Sequence, residues 1–221
     1  LGAALYKLEK INESIENFNK AISLKSDFPQ AINNLGNAML NLNRPKDSLE
    51  YFKKSLRLKP DYAEAFYNIG LASERLGENE EALDNFFKAI KINPNFAEAY
   101  NHIGLLFFKN NEYQKSLIYF KKTIELNSKY EKAYNNIGNT LNELGEYDQA
   151  TNAYKQAIKI KPDYSIAYSN LLFNLNYKTN FNPEEYLSVA KNFRIYCGPT
   201  EKKLSIKFQY EKKPEKLKIG F

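Results

Sequence analysis

The residues that could do chemistry are few. A single histidine, His102, and a single cysteine, Cys197, cannot assemble a metal-binding cluster or a Cys/His nucleophile pair. No glycine-rich phosphate loop and no HExxH pair occurs. The acids are scattered along polar helix faces, so these residues read as non-catalytic. Asparagine is the informative residue. Asn34, Asn68, Asn136 and Asn170 fall on one register, and His102 fills the remaining place in the row. A carboxamide offers two N–H donors and an acceptor oxygen, so such a row can hold an extended peptide backbone without reading its side chains. Polar contacts between neighbouring helices would use the same groups, and spacing alone leaves both readings open. Asn33, Asn101 and Asn135, one position earlier, widen the polar stripe. His102 reads as a neutral hydrogen-bonding substitute, since no partner for metal or acid–base work is evident.

The register comes from an internal repeat. Ala63–Phe96, Ala97–Tyr130 and Glu131–Tyr164 are successive copies of one 34-residue unit, the kind of period that marks a solenoid. The pair Ile69-Gly70 returns as Ile103-Gly104 and Ile137-Gly138, and upstream as Leu35-Gly36 and Leu1-Gly2. Within the Ala63 copy, Ala65, Phe66, Ile69, Ala72 and Leu76 follow helical spacing and predict a first helix over Glu64–Leu76. Gly77 suits the left-handed residue that ends a helix. Ala82, Leu83, Phe86, Ala89 and Ile90 predict a second helix over Glu80–Ile92, stopped by Asn93-Pro94. Gly70 and Ala82 are expected to bring the two helices close, with Phe86 filling the space beside them.

The pattern resembles the tetratricopeptide repeat, with Phe66, Ile69-Gly70, Ala82, Phe86, Ala89 and Pro94 at its signature offsets. A later copy supplies Tyr134, Ile137-Gly138, Ala150, Tyr154, Ala157 and Pro162, while Ser48 and Ser116 replace Ala and Ser128 replaces Pro. The resemblance implies an all-α, right-handed α-solenoid. Its parts are a partial repeat at 1–28, repeats at 29–62, 63–96, 97–130 and 131–164, and a first helix at 165–177. A junction helix follows at 178–199, opened by Asn182-Pro183-Glu184-Glu185. Residues 200–216 read as a basic linker, and 217–221 (LKIGF) as the opening strand of a truncated α/β domain. In this architecture the first helices line the concave surface, which would set Asn34, Asn68, His102, Asn136 and Asn170 along its inside.

Charge and composition exclude more than they assign. The net charge is +6, but from Lys178 onward there are ten Lys/Arg against five Asp/Glu, so the repeats are close to neutral. A nucleic-acid-binding solenoid would need cations and stacking aromatics inside its groove, which disfavours that partner. No run approaches the ~18 apolar residues of a membrane span. One cysteine excludes an internal disulfide framework and fits a reducing, cytoplasmic setting. A clamp for a peptide carboxylate would need several cations, yet the second residues of successive repeats are Gln30, Glu64, Glu98, Lys132 and Ile166.

The order of parts carries a second resemblance. An Asn before each apolar-Gly pair, the helix AYSNLLFNLNY, the NPEE-started helix and a basic segment into LKIGF together resemble the junction in protein O-linked N-acetylglucosamine transferases, including SPINDLY-like and bacterial relatives. The resemblance implies that the Asn row holds acceptor polypeptides and that a glycosyltransferase using UDP-N-acetylglucosamine follows Phe221. None of that enzyme's catalytic or donor-binding residues has a counterpart here, so no cofactor is expected within these residues. The alternative expectation is a free-standing tetratricopeptide scaffold for protein assembly or secretion. Apolar faces left at both ends of the array would invite self-association.

Overall fold

The computed structural model describes Gly2, residues 10–178 and residues 180–198. The expected linker at 200–216 and the strand at 217–221 lie outside the described residues. Those described form eleven consecutive helices from α1 to α11, with no strand among them. The first is α1 (Ile11–Leu24). Four helix pairs follow: α2 (Pro29–Asn41) with α3 (Pro45–Leu58), α4 (Ala63–Leu76) with α5 (Asn79–Ile92), α6 (Ala97–Lys109) with α7 (Tyr113–Leu126), and α8 (Glu131–Glu143) with α9 (Tyr147–Ile160). The last pair is α10 (Ser165–Leu175) with α11 (Pro183–Cys197). Both predicted helices of the Ala63 copy are present, each starting one residue earlier than the spacing indicated.

One glycine in each of the first helices α2, α4, α6 and α8 sets the closeness of its pair. A Cβ added to Gly70 would sit 2.5 Å from Phe86 Cε1, and one on Gly104 would sit 2.6 Å from Phe120 Cε1. The ring therefore lies directly on the glycine backbone. Phe52, Phe86 and Phe120 are fully buried there, and Tyr154 is nearly so. Burial of each such ring contributes about 2–3 kcal/mol. Ser48 and Ser116 fill the small-residue position without exposure. Ser48 satisfies its hydroxyl on the Pro45 carbonyl at 2.7 Å, so serine serves at a site where the pattern prefers alanine.

The turn inside each of the four pairs from α2 to α9 uses a left-handed residue one or two steps past the first helix. Gly77 and Gly145 have φ of 82° and 78°, and Asn43 and Asn111 take the same role at 57° and 61°. Asparagine tolerates this conformation better than other residues with a Cβ. At the other end of the chain, Asn182 Oδ1 accepts from the Glu184 and Glu185 amides at 3.0 and 3.2 Å and caps α11 as its sequence foretold.

Successive first helices touch one another at three of their four junctions, whereas successive second helices do not reach comparable contact. A stack whose members are closer on one side curves toward that side, so α2, α4, α6, α8 and α10 line the inside of the curve. Three of these inner contacts carry hydrogen bonds between side chains 35 residues apart. That spacing is one repeat plus one position.

Candidate functional site on the concave face

All five residues of the predicted row lie on first helices: Asn34 on α2, Asn68 on α4, His102 on α6, Asn136 on α8 and Asn170 on α10. They do not stand as free side chains. Asn68 Nδ2 donates to Asn33 Oδ1 at 3.1 Å, Asn136 Nδ2 to Asn101 Oδ1 at 3.1 Å, and Asn170 Nδ2 to Asn135 Oδ1 at 3.0 Å. Each of these three amides thus reaches back to the asparagine one position before its counterpart in the preceding repeat. Asn33, Asn101 and Asn135 are the more deeply buried partners, between 2% and 4% exposed.

The pairing spends part of each amide and leaves part. Asn136 uses one of its two N–H groups on Asn101 and is half-buried. Asn170 donates both to Asn135 and to Asn139 Oδ1, the latter at 3.0 Å. Asn139 also accepts from the Tyr154 hydroxyl at 2.9 Å, which ties the inner face of α8 to the core tyrosine beneath it. Asn68 is buried to 7% exposure. Asn34 is half-buried and lines a cavity of about 360 Å³ with Phe18, Gln30 and Ala31.

His102 departs from the row in kind as well as in name. Its Nδ1 donates to Glu74 Oε2 at 3.0 Å, and its ring meets the edge of Tyr67 at 5.6 Å and 74°. Tyr67 occupies the place that Asn33, Asn101 and Asn135 hold in other repeats. The two rings replace the amide pair together. Sequence reasoning recognised the histidine but missed Tyr67 and Glu74. The signal was the second period: Asn33–Asn68, Asn101–Asn136 and Asn135–Asn170 are each 35 apart, and only Tyr67–His102 breaks the set.

The remaining inner positions grade along the array. Asn37, Leu71, Leu105, Asn139 and Phe173 occupy one register, and Asn41, Arg75, Lys109, Glu143 and Tyr177 another. Phe173 and Tyr177 meet at 4.9 Å with their rings tilted by 54°, and Tyr177 stacks on Tyr147 at 5.9 Å. Both Phe173 and Tyr177 are more than half exposed, so α10 offers an aromatic surface where its predecessors offer amides and aliphatics. Arg75 donates Nη1 to the Leu40 carbonyl at the end of α2, which bridges one first helix to the next. Burial, with help from nearby carboxylates, raises the phenols of Tyr67, Tyr130 and Tyr154, so these side chains stay neutral donors throughout the physiological range.

Among the described residues no group of His, Cys, Asp and Glu could hold a metal ion, and no helix is long and apolar enough to cross a membrane. The arrangement offers donors, acceptors and aromatic faces along a curved surface, which is equipment for holding a chain.

Comparison with known proteins agrees with the repeat. Models described as tetratricopeptide repeat match residues 97–130, 131–164 and 29–62, and one described as TPR repeat matches 2–43 and 75–111. No curated protein matches. Among solved structures, MamA is similar at 26% identity and a TM-score of 0.62, over 73% of this chain and 95% of that one. YrrB, described as a TPR protein with an unusual peptide-binding site, is similar at 24% identity and a TM-score of 0.64, over 82% and 93%. PilF from Pseudomonas aeruginosa is similar at 17% identity with a TM-score of 0.76, over 88% and 86%. With these matches spanning most of the array, the chain belongs to the tetratricopeptide repeat family.

Proposed function

We propose that this chain is a protein-interaction module that holds extended polypeptide along the concave face of its superhelix. The observation that carries the reading is the row of amides on the inner side, interrupted at His102 and continued at its end by exposed Phe173 and Tyr177. A backbone laid across the first helices would meet the amide groups left over from pairing and an aromatic surface for an apolar side chain. The fold is one that carries a peptide-binding site in YrrB. Fluorescence anisotropy with a pool of labelled, unstructured ten-residue peptides tests it. Binding that Phe173→Ala with Tyr177→Ala weakens supports the groove, and absence of binding overturns it.

The finer reading is the acceptor-binding arm of a UDP-N-acetylglucosamine:protein O-glycosyltransferase. Its support is the order of parts around the junction helix α11, whose position and Asn182 cap follow the sequence. Protein or peptide acceptors are then the partners. Asn68→Ala with Asn136→Ala in the full protein should weaken glycosylation of protein acceptors and leave hydrolysis of the sugar donor unchanged. Acceptor kinetics that do not move would remove the mechanism, and a reading frame without a transferase after Phe221 would remove the parent.

A further inference from the structure

Four junctions join successive first helices among the described residues, and three of them carry an Asn–Asn pair. The fourth, between α4 and α6, carries Tyr67 and His102 instead. Neither ring can reproduce the amide contact. Tyr67 packs on Phe96 at 4.8 Å and on Phe86 at 5.6 Å, and His102 turns to Glu74. An open cleft of about 360 Å³ lies at this junction, lined by Leu71, Glu74, Arg75 and His102.

The chemistry of this cleft differs from that of the amide junctions. Glu74 and His102 keep 28% and 23% of their side-chain surface, so both are reachable from the groove. His102 Nδ1–H is spent on Glu74. The carboxylate has acceptor capacity beyond that one bond. The lining contains one cation, Arg75, and its guanidinium is turned to the Leu40 carbonyl. Lys109, the nearest inner-face cation on α6, reaches Asn79 at 3.4 Å. The Glu74 carboxylate is thus the acceptor this lining presents beside the aliphatic wall of Leu71, while Arg75 directs its guanidinium to a main-chain carbonyl.

We propose that this cleft is a subsite for a lysine or arginine side chain of the polypeptide in the groove, its stem along Leu71 and its cationic head on Glu74. The inference rests on the groove reading and adds side-chain selectivity to it. The amide-paired junctions would hold backbone, and this one junction would choose a residue. An acidic side chain would face Glu74 directly and be rejected.

The test uses labelled ten-residue peptide pools in an uncharged Gly/Ser/Ala/Leu background, with one central position fixed as Lys, Arg, norleucine or Glu. Anisotropy should show the Lys and Arg pools binding about tenfold tighter than the norleucine pool, as one partly exposed charge-assisted contact would give. Glu74→Gln should erase that preference. Tyr67→Asn with His102→Asn, which rebuilds the amide pair, should erase it as well. Circular dichroism and thermal melting establish that both variants are folded. Norleucine binding without a Lys/Arg preference, or a preference that survives Glu74→Gln, overturns the subsite alone. Failure of every pool to bind overturns the subsite and the groove together.

Discussion

Replacing Asn136 with Ala should loosen the junction between α6 and α8 by a predictable amount. The substitution removes the 3.1 Å bond and leaves Asn101 Oδ1 without its donor in a side chain only 4% exposed. An acceptor stranded at that depth costs about 1–3 kcal/mol. The reverse substitution, Asn101→Ala, strands the Asn136 amide, which is half-buried and can turn to water, so about 0.5–1.5 kcal/mol is expected. The double variant removes donor and acceptor together, and its cost should fall below the sum by a coupling of about 0.5–1.5 kcal/mol. Asn68→Ala with Asn136→Ala, two junctions apart, is the control and should be additive within about 0.5 kcal/mol. Urea unfolding followed by circular dichroism gives the energies, fitted as repeat terms plus nearest-neighbour terms because arrays need not unfold in one step. A coupling within about 0.3 kcal/mol of zero would refute the idea that the amide pairs fasten successive first helices.

Three further outcomes follow from the same geometry. Gly70→Ala should lower stability by about 1–3 kcal/mol in urea unfolding, because its new methyl meets the Phe86 ring at 2.5 Å, and Phe86→Leu should recover part of that loss. Ser73 is fully buried, its hydroxyl has no hydrogen-bond partner among the described residues, and its register holds Met39, Phe107 and Leu141 elsewhere. Ser73→Ala should therefore raise the thermal midpoint by the equivalent of about 1 kcal/mol, and a fall would show that the hydroxyl is satisfied. Tyr130 is pushed up to about 12 by burial, then by Glu98 and Glu131. The unfolded chain loses this proton near pH 10 while the folded one keeps it, so stability is complete below pH 10 and declines as pH rises toward about 12. Melting curves across that window should be flattened by Tyr130→Phe, and an unchanged slope would refute the assignment.

The sequence disclosed what depends on one repeat at a time. Gly70 and Phe86 stand 16 positions apart in every complete copy, and a glycine-on-ring contact is the only economical way to pack that pairing. Gly77 likewise announced a left-handed turn, although Asn43 and Asn111 in the same role were less conspicuous. Asn182-Pro183-Glu184-Glu185 marked the start of α11 because a cap is a local device. What stayed hidden lies between repeats. The row of Asn34, Asn68, His102, Asn136 and Asn170 was visible as a row, but its bonds run sideways to Asn33, Asn101 and Asn135, and that depends on how one helix pair leans on the next. His102 looked like a substitution at a single place. Its meaning emerged only beside Tyr67 and Glu74, which the curvature brings to it. The aromatic surface of α10 was concealed for a related reason: Phe173 and Tyr177 have the composition of core residues, and only the register of first helices turns them inward.

The most direct measurement places a photo-crosslinking benzophenone residue at one position at a time and asks where a bound peptide pool attaches. Phe173 and Asn139 lie on first helices, on the inside of the curve, and Lys121 is exposed on the second helix α7. Crosslinking at Phe173 and Asn139, competed by unlabelled peptide and absent at Lys121, is the result expected of a concave polypeptide groove. Equal or stronger attachment at Lys121 would contradict it.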